Sequence, residues 1–209
     1  MNSTIDLAVL HPTQIENDVV QACKIAYEYK LASVCVRPYD ITLAKTCLCN
    51  TSKISTVVDF PHGNNTSNIR QAAAVRAIDD GANELDVVIQ IGKFLRGLFP
   101  SVEADLKRIV RLVAPIPVKV IIETGYLNQT DILLSSTIAK EAGAAFVKSC
   151  TGFGPRGVTI EDVDIMTSVK DIQVKASGGI KTKEQAKAFI DKGCTRLGIG
   201  LNSILDIIC

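Results

Sequence analysis

Short apolar runs rich in β-branched residues alternate with amphipathic helical segments along this chain, and the connections between them are short. That alternation constrains the fold most. It implies parallel strands joined by right-handed crossovers and a sheet covered by helices. Strands are expected over 5–10, 32–36, 54–60, 84–89, 118–123, 146–148, 172–176 and 195–199. Helices are expected from Thr13 to Lys30, then over 40–50, 67–80, 101–113, 130–142, 159–169 and 182–192, with a short last one from Asn202. In the first helix Ile15, Val19, Ala22, Cys23 and Ala26 share one face. Thr13-Gln-Ile-Glu16, Thr159-Ile-Glu-Asp162 and Thr182-Lys-Glu-Gln185 have capping-box spacing, and Gly81, Gly143 and Gly193 stand where helices stop. Eight strands and eight helices in 209 residues predict a single-domain α/β fold over residues 1–209, a (β/α)8 TIM barrel at the lower edge of its usual length. An open doubly wound sheet is the rival, but its Gly-x-Gly-x-x-Gly turn is missing after strand one.

Charge narrows the partners. Lys+Arg (23) nearly balances Asp+Glu (22), so no overall field steers the chain to nucleic acid or an anionic membrane. No run of about 18 apolar residues occurs, and Met1-Asn-Ser-Thr-Ile-Asp6 has no basic segment leading into an apolar one. A cytoplasmic protein is expected. Seven cysteines, an odd number without a CxxC pair, suit reduced thiols. His11 and His62 each sit beside a proline and form no zinc-spaced cluster, so no metal and no other cofactor is expected.

Chemistry is expected where charge is most costly to place. Ala145-Ala-Phe-Val-Lys148 ends an apolar run on a lysine, and a glycine-rich turn follows as far as Gly157. A buried ammonium must find a partner or lose its proton, and a neutral amine is a nucleophile able to form a Schiff base with a carbonyl. A lysine at a strand end can also simply reach solvent. Asp59, Asp86, Glu123, Lys148 and Lys175 all fall at or near carboxyl ends of expected strands, with Lys119 lower in strand five, and carboxyl ends form the active-site face of such a barrel. Lys148 and Lys175 lie on consecutive strands about 4.8 Å apart, so their ammonium groups should repel and at least one pKa should fall. Asp86 can hold or relay a proton for the second amine. Gly178 and Gly179 follow strand seven and Gly198-Ile-Gly200 ends strand eight. In barrels of this type these two loops commonly bind phosphate on backbone N–H groups, so a phosphorylated substrate is implied, although a Gly-Gly pair is also an ordinary tight turn.

The segments Ala32-Ser-Val-Cys-Val, Val58-Asp-Phe-Pro-His-Gly-Asn64, Glu84-Leu-Asp-Val-Val88, Lys119-Val-Ile-Ile-Glu-Thr-Gly125, Phe146-Val-Lys-Ser-Cys-Thr-Gly-Phe-Gly154 and Val174-Lys-Ala-Ser-Gly-Gly-Ile180 together resemble the deoxyribose-phosphate aldolases of the class I, Schiff-base type. The resemblance covers almost the whole chain. It implies reversible cleavage of 2-deoxy-D-ribose 5-phosphate to D-glyceraldehyde 3-phosphate and acetaldehyde, in deoxyribonucleotide catabolism. It implies Lys148 as the Schiff-base lysine, Lys175 and Asp86 as its acid–base partners, Asp6 near the substrate hydroxyls, and Cys35 as a lining cysteine able to react with aldehydes. Thr151 and Gly152, in the turn after Lys148, join Lys119, Gly178, Gly179 and Gly200 as candidate substrate contacts. The chain also departs from the family. Where Asp-His-Thr-Leu-Leu is usual it has Asp6-Leu-Ala-Val-Leu10, where serine is usual it has Cys150, and Gly198-Ile-Gly-Leu201 lacks the usual serines. Backbone N–H groups, or another donor such as Arg156 or a loop lysine, would then carry the phosphate.

Structural alternatives stand beside these roles. Lys119 reads equally as electrostatic support and as an ion pair with Glu123 or Asp86. Asp59 reads as the organiser of the Pro61-His62-Gly63 loop, His62 as a turn cap or a substrate contact, and Cys35 as a small core residue. A phosphosugar isomerase or epimerase on the same fold and a non-catalytic metabolite-binding barrel are the functional rivals. Lys148, Lys175 and Asp86 together favour the imine route. The expected partners are a phosphosugar and an aldehyde, and the sequence leaves open whether copies of the chain form a homo-oligomer.

Overall fold

Each apolar run pairs in parallel with the next: β1 (Ile5–Val9), β2 (Ser33–Val36), β3 (Lys53–Val58), β4 (Glu84–Val88), β5 (Val118–Ile121), β6 (Phe146–Lys148), β7 (Gln173–Ser177) and β8 (Arg196–Gly200). β1 also pairs with β8, Ile5 opposite Leu197, so the sheet closes into a barrel and the open-sheet alternative is excluded. The computed structural model describes residues 1–48 and 52–208. Among these, no helix is long and apolar enough to cross a membrane.

Alternate strand residues face opposite sides of the sheet. Leu7, Val34, Leu85, Val120, Val147, Val174 and Leu197 belong to the apolar core between barrel and helices. Asp6, Ser33, Ser55, Asp86, Lys119, Lys148, Lys175 and Arg196 alternate with them, and contacts among non-adjacent strands place these residues inside the barrel. An interior lined with charge is unusual for this fold, which commonly fills it with Val, Ile and Leu.

The helices are α1 (Glu16–Tyr29), α2 (Ile41–Leu48), α3 (Ser67–Asp80), α4 (Ile91–Leu95), α5 (Phe99–Val113), α6 (Gln129–Glu141), α7 (Ile160–Ser168), α8 (Lys183–Asp191) and α9 (Ile204–Ile208). The Thr159 and Thr182 boxes form: Asp162 N–H donates to Thr159 Oγ1 (3.2 Å) and Thr159 N–H to Asp162 Oδ2 (3.1 Å), with Gln185 playing the same part for Thr182. The Thr13 box does not. Thr13 pairs with His11 Nδ1, and Ile15 N–H donates instead to Asp18 Oδ2 at 2.7 Å, so α1 starts at Glu16. Ile15 is thereby left 62% exposed and Ile25 joins the buried face. The helix expected over 40–50 ends at Leu48, and its last two residues lie outside the described residues. α4 was not among the expected helices. It forms by burying Ile91 and Phe94, the latter against Phe99 at 5.0 Å. Strands three and five end early because Asp59 (φ 55°) and Glu123 (φ 56°) adopt left-handed backbone.

Candidate active site

Closure of the barrel brings seven charged side chains together, all of them buried. Asp86, on β4, reaches across the interior: its Oδ2 accepts from Lys148 Nζ at 2.7 Å and from Lys175 Nζ at 2.8 Å, while its Oδ1 accepts from Lys119 Nζ at 2.9 Å. Lys175 is also 2.6 Å from Asp6 Oδ2, an ion pair whose angle lies outside hydrogen-bond geometry. Lys119 lies 2.6 Å from Glu84, and Arg196 joins Asp6 (Nε, 2.9 Å) to Glu84 (Nη2, 2.8 Å). Inside the barrel, Asp6, Glu84 and Asp86 face Lys119, Lys148, Lys175 and Arg196. The four cations outnumber the three carboxylates by one, and Lys148 is the least buried of the three interior lysines.

The electrostatics select the same lysine. Burial pushes the Lys148 amine below its ordinary 10.5, Asp86 opposes that, and Lys175 adds to it, so the net direction is down. Burial acts on Lys175 too, but Asp6 and Asp86 overcome it and hold its pKa well above the ordinary value. For Asp86 burial would raise the pKa, and Lys119, Lys148 and Lys175 hold it far below the usual carboxylate range. The sequence argument that lysine repulsion should lower one pKa thus has the right direction, with burial as its larger cause.

Above this network a cavity of about 260 Å³ opens at the carboxyl ends of the strands. Lys148, Lys175, Asp6, Cys35, Thr151, Gly152, Gly178, Gly179 and Gly200 all line it. Asp86 lies just beneath and reaches the cavity through the two lysines. Lys119 is a correction: it is fully buried below the cavity, with Asp86 and Glu84 as its near partners, and it touches neither the cavity nor Glu123. Cys35 stands outside the apolar core cluster, and burial holds its thiol protonated by raising its pKa. Asp59 accepts from Asn65 and Arg70 and so orders the loop after β3, while His62 lines a separate small cavity beside Glu123.

Several residues come into view only here. Glu84 and Arg196 complete the interior ion network, and their spacing of two from Asp86 and Gly198 would have placed them on the same strand faces. Lys181 and Ser203 line the cavity beside Gly178, Gly179 and Gly200, which supplies a cation and a hydroxyl where Gly200-Leu201 has none. Arg156 does not fill that gap, because Asp162 holds it (3.0 Å from Nη2 to Oδ1) away from the cavity. Of the departures in the first motif, Leu7 points into the apolar core and leaves the cavity unchanged, whereas Ala8 lines it. Cys150 is buried outside the cavity under Gly178, where a Cβ would meet its own at 2.8 Å. Gly178 (φ 90°) therefore cannot take a side chain.

The family described as DeoC/LacD family aldolase matches residues 2–207. A deoxyribose-phosphate aldolase from Treponema denticola is 37% identical over 203 residues, 95% of this chain and 94% of that protein. One from Caldanaerobacter subterraneus subsp. tengcongensis is 42% identical over 200 residues, 93% and 87% of the two chains. Among solved structures, the aldolase QR15 superposes with a TM-score of 0.94 at 38% identity, covering 99% of this chain and 93% of that one. A tetrameric deoxyribose phosphate aldolase from Aeropyrum pernix superposes with a TM-score of 0.90 at 26% identity, covering 99% and 88%.

Proposed function

We infer, given that this chain belongs to the DeoC/LacD family of aldolases, that it is a class I lyase that reversibly cleaves 2-deoxy-D-ribose 5-phosphate to D-glyceraldehyde 3-phosphate and acetaldehyde. One observation carries the reading: a single buried carboxylate oxygen, Asp86 Oδ2, shared by Lys148 at 2.7 Å and Lys175 at 2.8 Å on the floor of the cavity. Burial and the neighbouring Lys175 lower the proton affinity of the Lys148 amine there, beside an ammonium and a carboxylate, which is the direction imine chemistry requires.

The Lys148 amine adds to the aldehyde carbon C1 of the open-chain sugar, and the resulting carbinolamine loses its hydroxyl as water, protonated by Lys175. The iminium restores the fourth positive charge, and Asp86 faces its nitrogen. Loss of the C3 hydroxyl proton then breaks the C2–C3 bond. The electron pair passes to the imine as an enamine, and D-glyceraldehyde 3-phosphate leaves. Protonation of C2 and addition of water release acetaldehyde and return the amine. Lys175 lines the cavity and Asp86 does not, so proton delivery to substrate is assigned to Lys175 and charge balance to Asp86. Asp6 and Cys35 line the sugar end. The backbone of Gly178, Gly179 and Gly200, with Lys181 and Ser203, is assigned to the phosphate. Lys119 and Arg196 support this machinery from below. A cytoplasmic location and self-association, as in the tetrameric relative, complete the reading, and sedimentation tests the latter.

The test is borohydride reduction in the presence of acetaldehyde, followed by peptide mapping. A single reduced two-carbon adduct on Lys148 is expected. Adducts confined to surface lysines, or none, would remove the imine mechanism.

A further inference from the structure

The left-handed residue Glu123 sits between two backbone bonds to the end of the lysine strand: Ile122 N–H donates to the Lys148 carbonyl and Thr124 N–H to the Ser149 carbonyl, each at 3.0 Å. Such a backbone is disfavoured for any residue with a Cβ and persists where its surroundings enforce it. Here the side chain is what the kink delivers. Buried and turned across the barrel rim, Glu123 accepts through Oε2 from the N–H of Thr151 at 3.1 Å and from the Thr151 hydroxyl. Thr151 Oγ1 in turn accepts the N–H of Phe153 at 3.0 Å. Gly154 then crosses the carboxyl group so closely that a Cβ there would lie 2.8 Å from Oε1. Oε1 itself is buried with no hydrogen-bond donor among the described residues. A carboxyl group buried with one oxygen unmatched is a poor device for stability. The turn it grips is, however, one wall of the cavity: Thr151, Gly152 and Phe153 line it, and Phe153 stacks on His11 at 6.1 Å and meets Phe60 edge-on at 5.5 Å.

We propose that Glu123 is a positioning residue that acts through Thr151 to fix the wall formed by residues 151–153, and so sets how well the sugar phosphate is held without setting the reactivity of Lys148. Thr151, expected from the sequence to touch substrate, serves in this account as the link. The kinetic part of the inference rests on the aldolase reading above, and the exchange measurement below does not.

Glu123→Gln keeps the shape, Thr151→Val removes the hydroxyl, and Thr151→Ser restores it. For Thr151→Val, which loses the hydroxyl bond to the carboxylate, and for Glu123→Gln, which keeps an acceptor but loses its charge, we expect KM for deoxyribose 5-phosphate to rise roughly tenfold, with kcat changed by less than about threefold. The double variant should be no worse than either single one, and Thr151→Ser should stay close to the starting protein. Trapping of acetaldehyde on Lys148 should keep its rate. Gly154→Ala, which drives a Cβ onto Oε1, should reproduce the KM effect. Amide hydrogen exchange over residues 149–157 should quicken in Glu123→Gln and Thr151→Val, with the rest of the barrel unchanged. Unaltered KM in a folded Glu123→Gln, Thr151→Ser as impaired as Thr151→Val, multiplying effects in the double variant, or exchange that quickens throughout the barrel would each overturn the proposal. If the unsubstituted chain fails to trap acetaldehyde, the aldolase reading falls, and unchanged local exchange in Glu123→Gln would still overturn this one.

Discussion

Replacing Lys175 by methionine should silence Lys148 by letting it keep its proton. Both lysine nitrogens bond the same oxygen, at 2.7 and 2.8 Å, so they lie within about 5.5 Å of each other. Two unit charges about 5 Å apart at an effective dielectric of about 20 repel by about 3 kcal/mol. That is roughly a hundredfold on a protonation equilibrium. Counting charges leads to the same place: without Lys175, the three interior carboxylates are balanced only if Lys148 is an ammonium. The assay is the rate of acetaldehyde trapping by borohydride as a function of pH: the position of the rising limb reads the neutral fraction of Lys148, while loss of the Lys175 proton that dehydrates the carbinolamine lowers the plateau. In Lys175→Met the rising limb should move to higher pH, so that the rate near pH 7 falls by roughly a hundredfold or more, and raising the pH should bring the rate up to a lowered plateau. Asp86→Asn should move the limb the other way, because Asp86 favours the charged amine. A limb that stays in place in Lys175→Met, or moves to lower pH, would refute the electrostatic account of the nucleophile.

Arg196→Met takes one cationic partner from Asp6 and one from Glu84, which keep Lys175 and Lys119, so it should cost about 1–3 kcal/mol in urea unfolding, and no measurable loss would show the Arg196 bonds to be expendable. Lys181→Ala should raise KM for the phosphorylated sugar about tenfold or more and leave non-phosphorylated deoxyribose unaffected; equal effects on both would take Lys181 off the phosphate. An added Cβ at Gly200 meets nothing within 4 Å, so Gly200→Ser with Leu201→Ser should fold normally. With Lys181 and Ser203 already lining the cavity, its gain in KM should stay below about threefold, and a tenfold gain would mean those groups miss the phosphate. Burial would raise the pKa values of Asp6, Glu84 and Asp86, but the surrounding cations hold all three low. Their contribution to stability is therefore complete above the unfolded carboxylate values and is lost as pH falls through the folded ones. Thermal scans should show Tm flat above about pH 5 and falling below about pH 4, and a Tm that declines from pH 7 downward would point to other groups.

How much of this was legible beforehand can be followed residue by residue. Short apolar runs and the period of about 3.6 in helices are local properties, so the alternation, the eight strands and the Thr159 and Thr182 caps could be read directly from the chain. The Thr13 cap could not, because the neighbouring His11 competes for the same hydroxyl. Family motifs marked Lys148, Lys175 and Asp86 as a set. Nothing local said that Asp86, two strands away from Lys148, would place one oxygen between both lysines. Only the closed barrel decides that, since it brings β1, β4, β6 and β7 around one axis. The same closure turned Lys119 from a candidate contact into a buried counter-ion and recruited Glu84 and Arg196, whose alternation with apolar neighbours looks in sequence like an ordinary solvated face. It also showed which altered motif positions matter, since strand direction sends Leu7 outward into the core and Ala8 inward to the cavity. Sequence determines which way each side chain can point, because the strand repeat is built into every residue. Which side chains then meet depends on how distant strands are brought together, and that belongs to the tertiary structure alone.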